Sequence, residues 1–335
     1  MKTTLDKKYV IGTHVMHYEI EIYKEFIDGL CNMLETIENK ENVYIDLCLN
    51  LQEHLETIDT SQITNKQIMS IFSKGVDKLV KTGIPDTNVT IEIKTMLGDM
   101  YFHTDYRRDL NYKYCKKVDY VIWGETDSLI PKEGLLAIDT LAQYTDSIGE
   151  YKYIMSFADR KMWDDSWNPT VHNDYVDLVF VDDENGHLNP NQAKSIMSID
   201  EMNRINSKIT DFDFIQIPYT KIDGSFLVIS SELIKSGVNI PLCMLYNDDE
   251  GFAISYNQLH KGNIKQYVCK NLLKVHARRH PNKRMYVKDE ENEHSFNDKK
   301  GNAFQTFKQL SQENIQTLHT GIGKFHEYND LKNLI

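Results

Sequence analysis

Through its first 145 residues the sequence alternates short apolar, β-branched runs with longer amphipathic ones, and this alternation constrains the fold more than any other feature. KYVIGTHV (8–15), NVYIDLCLN (42–50), NVTIEIKTM (88–96) and VDYVIW (118–123) carry the Val, Ile and aromatic residues of strands. Between them lies YEIEIYKEFIDGLCNMLETIE, whose Ile22, Phe26, Leu30 and Leu34 recur at helical spacing. TSQITNKQIMSIFSKGVDKLVKTG follows with a Ser or Thr cap at its start, and RRDLNYKYCKK reads as a third helix. Strands separated by helices predict an α/β fold with a mostly parallel sheet and helices on both faces. Ligands of such sheets bind beyond the carboxyl ends of the strands.

After the fourth strand the chain turns at Gly124 and presents Glu125, Thr126 and Asp127, placing two carboxylates at such an end. Carboxylates one residue apart can converge on Mg²⁺ or Mn²⁺, hard ions that take oxygen ligands and keep positions open for phosphate oxygens. The plainer alternative is a pair of solvated turn residues, since the chain carries 50 Asp and Glu.

After KEGLLAIDTLAQYT, which reads as a helix, the alternation weakens. YKYIMSFAD and YVDLVFVDD read as strands, SIDEMNRINSKI as a helix and GSFLVISSELIKSG as a strand entering a helix. PLCMLYNDDEGFAISYNQLHKG and a last strand, KQYVCKNLLKVHARRH, follow. Residues 286–302 are charged and Gly/Asn-containing, as in a loop or lid, and Phe304, Phe307, Leu310 and Ile315 mark a C-terminal packing helix. The expected organisation is a nucleotide-binding half (1–145), an acceptor-binding and catalytic half of the same domain (146–285), and a flexible loop with a helical tail (286–335).

Bulk composition narrows the partners. The 335 residues are 41% hydrophobic and 26% charged, values of an ordinary globular protein. A formal charge of −12 argues against broad nucleic-acid binding. The odd number of cysteines (Cys31, Cys48, Cys115, Cys243, Cys269) without C-x-x-C spacing fits a reducing compartment and gives no zinc signature. No apolar run reaches the about 18 to 20 residues that span a bilayer, and MKTTLDKKYVIG has no signal-peptide core. A cytoplasmic protein is expected, which makes the Asn88-Val89-Thr90 sequon a coincidence.

The order YRRDLNYKYCKKVDYVIWGETDSLIP, DGSFLVISSELIKSG, YNDDEGFAISYNQLHKG, KVHARRHP resembles the GT-A class of nucleotide-sugar glycosyltransferases, particularly the family-two type, over roughly residues 9–285. That resemblance implies a Rossmann-like GT-A sheet with a D-x-D-like metal motif, here Glu125 and Asp127. The first acid is Glu where Asp is usual. It further implies that His276 completes a Mn²⁺ or Mg²⁺ site and that Arg107 or Arg108 lies near the nucleotide. Asp249 is implied as general base, with Asp248 and Glu250 as its alternates, deprotonating the acceptor hydroxyl opposite the leaving diphosphate and so inverting the anomeric carbon. Acidic residues also favour a helix's first turn, so capping is the alternative for all three. Thr13 and His14 are implied at the base or ribose, with Asn50 and Glu53 as further candidates, and Asp223-Gly224 on the acceptor side.

KVHARRHPNKR (274–284) concentrates cations in an acidic chain, and Arg278, Arg279 and Lys283 suit a diphosphate; His280 is an alternative metal ligand to His276. Trp163 and Trp167 stand among carboxylates and amides, as in sugar stacking, or as core anchors. The resemblance thus implies a metal-dependent glycosyltransferase using a nucleotide-diphosphate sugar, UDP-type favoured. A glycosidase or a non-catalytic nucleotide-sugar or glycan-binding module are the alternatives. The Asn, Lys, Ile and Asp content is compatible with a bacteriophage source. Phage enzymes of this kind make a hydroxymethylated pyrimidine in DNA a candidate acceptor beside a surface glycan.

Overall fold

The computed structural model describes residues 2–52, 63–95, 100–161, 168–169, 199–217, 224–276, 306 and 309–327, without the side chains of residues 18, 21, 159–161, 168–169, 201 and 276. The expected strand at 175–183, the loop at 286–302, Glu53, Phe304 and Phe307 lie outside the described residues.

The strands are β1 (Tyr9–Met16), β2 (Val43–Asn50), β3 (Val89–Lys94), β4 (Tyr120–Gly124), β5 (Ile154–Lys161), β6 (Asn168–Pro169), β7 (Phe214–Ile217), β8 (Leu227–Ser230) and β9 (Gln266–His276). The helices are α1 (Ile20–Glu35), α2 (Asn65–Lys81), α3 (His103–Tyr114), α4 (Gly134–Ser147), α5 (Ile199–Asn206), α6 (Ser231–Lys235), α7 (Asp248–Leu259) and α8 (309–320). One sheet with the order β3-β2-β1-β4-β8-β5-β9-β7 contains strands from both halves of the chain, and β6 pairs β5. The first four strands are parallel, and β5 pairs β9 in parallel. β8 runs antiparallel between β4 and β5, and β7 antiparallel to β9. The sheet is therefore mixed α/β, its parallel half lying where the sequence alternates most clearly.

Every residue of β1 is buried, as a central strand covered on both faces requires. Tyr9, Ile11 and Val15 face the layer of α1, α2 and α4, while Val10 faces α3, α6 and α7. α1 presents Tyr23, Phe26, Ile27, Leu30 and Leu34 to its core, and α2 presents Ile68, Phe72 and Leu79. Thr64 caps α2: its Oγ1 accepts from Gln67 N at 3.3 Å and the Gln67 side chain accepts from Thr64 N at 2.8 Å. Asn88 of the sequon is buried and donates to the carbonyls of Glu41 and Val43. None of the described helices is long and apolar enough to cross a membrane.

Two features position the candidate site. Because β1 lies between β2 and β4, the chain's connections leave it in opposite directions, opening a crevice beyond the carboxyl ends of β1 and β4. On the α3 side, α8 buries Leu310 and Ile315 and braces the approach to α7. Ser311 Oγ accepts from Tyr246 N at 2.7 Å, and Asn314 donates to Cys243 O at 2.6 Å.

Candidate functional site

β1 and β4 approach so closely that a Cβ on Gly124 would stand 2.3 Å from Thr13 Oγ1. Beyond this glycine the acidic segment is fastened at both ends. Thr126 donates to Glu19 at 2.7 Å, and Leu129 exchanges backbone hydrogen bonds with Val275 of β9. Asp127 is buried at 5% exposure, so the strand-end acids are not a solvated turn.

Above them runs α3, which begins at His103, four residues before the start expected from the sequence. Arg107 points from this helix onto the indole of Trp123, 4.7 Å from the ring centroid, and is 2% exposed. Its Nη1 donates to Asp248 Oδ2, and its Nη2 donates to Glu125 Oε1 and, at 2.8 Å, to the carbonyl of Gly224. A Cβ at Gly224 would meet Nη1 at 2.4 Å, so glycine is what lets the guanidinium reach that carbonyl. Burial works against the charge of Arg107, but Asp248 and Glu125 outweigh it and raise the pKa, keeping the group ionised.

His103, one helical turn before Arg107, places Nε2 3.8 Å from Glu125 Oε1 and 3.9 Å from Asp248 Oδ2. Both separations exceed hydrogen-bond length. The side chain is 34% exposed, yet Nε2 itself has no water contact and no hydrogen-bond partner among the described residues. Burial, then the Arg107 charge, lowers its pKa to about 4 against the opposing pull of Asp248, Glu125 and Asp127, leaving a neutral imidazole at neutral pH.

The nucleoside candidates adjoin this group. His14 is 1% exposed, stacks on Tyr106 at 5.5 Å and meets His103 edge-on at 5.6 Å. Its Nε2 is 3.2 Å from Asn50 Nδ2, which also donates to Tyr101 O at 2.7 Å. Thr13 Oγ1 is buried beside Gly124. The fold therefore brings Thr13, His14, Asn50, Arg107, Glu125, Gly224 and Asp248 to one side of the strand ends.

Other candidates are placed differently. Arg108 points away from Glu125 and donates to the carbonyls of Ile240 and Pro241 and to Asp105, anchoring the α6–α7 connection. Asp248, rather than Asp249, shares Arg107 with Glu125. Asp249 Oδ1 accepts from Glu250 N at 2.8 Å, and Glu250 is exposed and accepts from Asn247. The His276 side chain, Trp163, Trp167, Asp223, Arg278, Arg279, His280 and Lys283 lie outside the described residues.

Sequence reading missed His103 and Lys274. His103 could have been found from its i, i+4 relation to Arg107, had the helix been started earlier. Lys274 is 1% exposed, and its Nζ donates to the carbonyl and, at 2.5 Å, to Oγ of Ser225, next to Gly224. Two buried cations thus grip consecutive residues of this turn, which continues into Phe226 at φ 55, a left-handed conformation that costs about 1–2 kcal/mol outside glycine.

Glu125 and Asp127 have the oxygen chemistry a divalent ion prefers. Among the described residues, however, no three His, Cys, Asp or Glu groups come together as a metal set. Glu125 Oε1 is already held by Arg107. In this arrangement the described residues do not fit a metal ion bridging Glu125.

No protein-family model matches the sequence, and no curated protein matches it. Among solved structures the chain is similar to the crystal structure of S. aureus TarS 1-349 in complex with UDP-GlcNAc, at a TM-score of 0.45 and 10% identity. The likeness covers 81% of this chain and 59% of that one, so this chain spans less than two thirds of its neighbour's length.

Proposed function

We propose that the protein transfers a sugar from a nucleotide-diphosphate donor to an acceptor hydroxyl, inverting the anomeric carbon. The observation that carries this reading is the meeting of Glu125, at the end of β4, with Asp248, at the start of α7, over the crevice beyond β1 and β4. In this reading the donor's nucleoside lies against Thr13, His14 and Asn50, and its diphosphate is met by cations of the 274–284 segment, Arg278, Arg279 and Lys283. UDP is the favoured nucleotide.

Acid–base work falls to the first turn of α7. Asp248 is favoured as proton acceptor because it is the acid joined to the strand end, with Asp249 and Glu250 as its alternates. An acid on the acceptor side that deprotonates the incoming hydroxyl permits a single displacement with inversion. Gly224 with Asp223, and Trp163 or Trp167, are assigned to the acceptor, which is either a hydroxymethylated pyrimidine in DNA, as in a bacteriophage enzyme, or a surface glycan.

A thermal-shift screen of nucleoside diphosphates and their sugars, with Mn²⁺ and with chelator, tests the reading. Stabilisation by one nucleotide family supports it, and no stabilisation by any of them would sink it. Mass spectrometry of hydroxymethylated DNA and of glycan acceptors after incubation with the donor separates the two acceptor classes.

A further inference from the structure

We infer that Ser311 and Asn314 of α8 are positioning residues for Asp248, so that the C-terminal helix sets where the proposed proton acceptor stands. The role of Asp248 rests on the proposed reaction; the link between α8 and the start of α7 belongs to the residues themselves.

Residues 240–247, which lead into α7, lie outside helix and strand, so their backbone groups need partners from elsewhere. Two helices supply several of them. From α3, Arg108 donates to the carbonyls of Ile240 and Pro241, and Thr104 donates to that of Leu245 at 3.3 Å. From α8, Asn314 Nδ2 donates to Cys243 O at 2.6 Å. Ser311 Oγ accepts from Tyr246 N at 2.7 Å and donates to Tyr246 O at 3.3 Å, holding both backbone groups of the residue two before Asp248. The intervening Asn247 is left-handed at φ 58 and ψ 51, and its side chain makes no capping bond to α7. The direction in which α7 starts is therefore set by what holds the chain before it.

Both α8 side chains are built into the packing. Ser311 and Asn314 are fully buried, beside the buried Leu310 and Ile315, whereas Ser and Asn are mostly exposed in proteins. Asn314 also ties the segment after α8 to the same point: Nδ2 donates to His326 O at 3.0 Å and Oδ1 accepts from His326 N at 2.7 Å. Asp248 is thus held twice, its carboxylate by Arg107 of α3 and its backbone approach by α8. An acid displaced by about 1 Å loses rate rather than donor affinity, because proton transfer is sensitive to geometry and donor binding does not use the acid.

The test compares the full chain with Ser311→Ala and, separately, Asn314→Ala. Hydrogen–deuterium exchange read by mass spectrometry needs no substrate. Exchange across 243–248 is expected to quicken about tenfold in each variant, the effect of one lost hydrogen bond on a local opening, with β1 and β4 unchanged. Turnover is then read as released nucleotide diphosphate: kcat should fall about 10- to 100-fold while the donor KM stays within about twofold. Unchanged exchange at 243–248, a quickening spread over the whole chain, or a change in KM without one in kcat overturns the inference. Asn314→Ala carries the test if Ser311→Ala does not fold. If the unaltered chain turns over no donor, the proposed function falls, and exchange alone decides whether α8 holds the start of α7.

Discussion

Glu125 and Asp248 come from opposite halves of the sequence and meet on the guanidinium of Arg107, which is 2% exposed. Strand end, turn and helix start are thereby joined through one side chain lying on Trp123. The expected consequences can each be measured.

Arg107→Ala should destabilise the fold by about 3–5 kcal/mol, the usual loss when one partner of a buried ion pair is removed and the other charge is left unpaired. Urea unfolding at neutral pH measures it. A loss below about 1 kcal/mol, the range of a surface pair, would mean that the clamp is not closed in solution.

Gly224→Ala should cost about 1–3 kcal/mol as an overpacking change, since the added Cβ would stand 2.4 Å from Arg107 Nη1. In an Arg107→Ala background the same substitution should be nearly neutral. That non-additivity, read from the double-mutant cycle, separates a clash with the guanidinium from a general effect on the turn.

The pH dependence of stability should carry the mark of His103. Its folded-state pKa is lowered to about 4, chiefly by burial and then by Arg107, whereas the unfolded imidazole takes up its proton near the ordinary histidine value of 6.5. Its contribution is therefore fully present above about 6.5 and is lost as the pH falls from there towards 4. His103→Gln should flatten the decline in unfolding free energy between pH 7 and pH 4.5. An unchanged slope would show that the imidazole titrates normally.

Asp248→Asn should lower donor turnover by about 10²- to 10⁴-fold, the usual contribution of a general base, while nucleotide affinity changes little. Asp249→Asn should have a much smaller effect, since it is Asp248 that shares Arg107 with Glu125, while Asp249 Oδ1 accepts from Glu250 N. Released nucleotide diphosphate is the readout, and the reverse ranking would return the role to Asp249.

Much of the scaffold could be read directly from the sequence. Runs such as Val118–Trp123 and the periodic Phe26, Leu30 and Leu34 report local burial, which a few neighbouring residues determine. Glu125 and Asp127 could be located because a strand's carboxyl end is itself a sequence position. Arg108 could not be separated from Arg107, because adjacent helical residues differ in direction by about 100° and only the packed helix decides which one faces Trp123.

By itself, then, the sequence determined the α/β class, the order of the elements through α4 and the placing of acids at a strand tip, all of which follow from hydrophobic period and turn chemistry. Only the tertiary structure decided that Asp248 is the helix-start acid joined to Glu125, that His103 joins them, and that a guanidinium fills the space between. Those outcomes depend on contacts among residues distant in sequence, where direction and distance are set by how helices pack on the sheet.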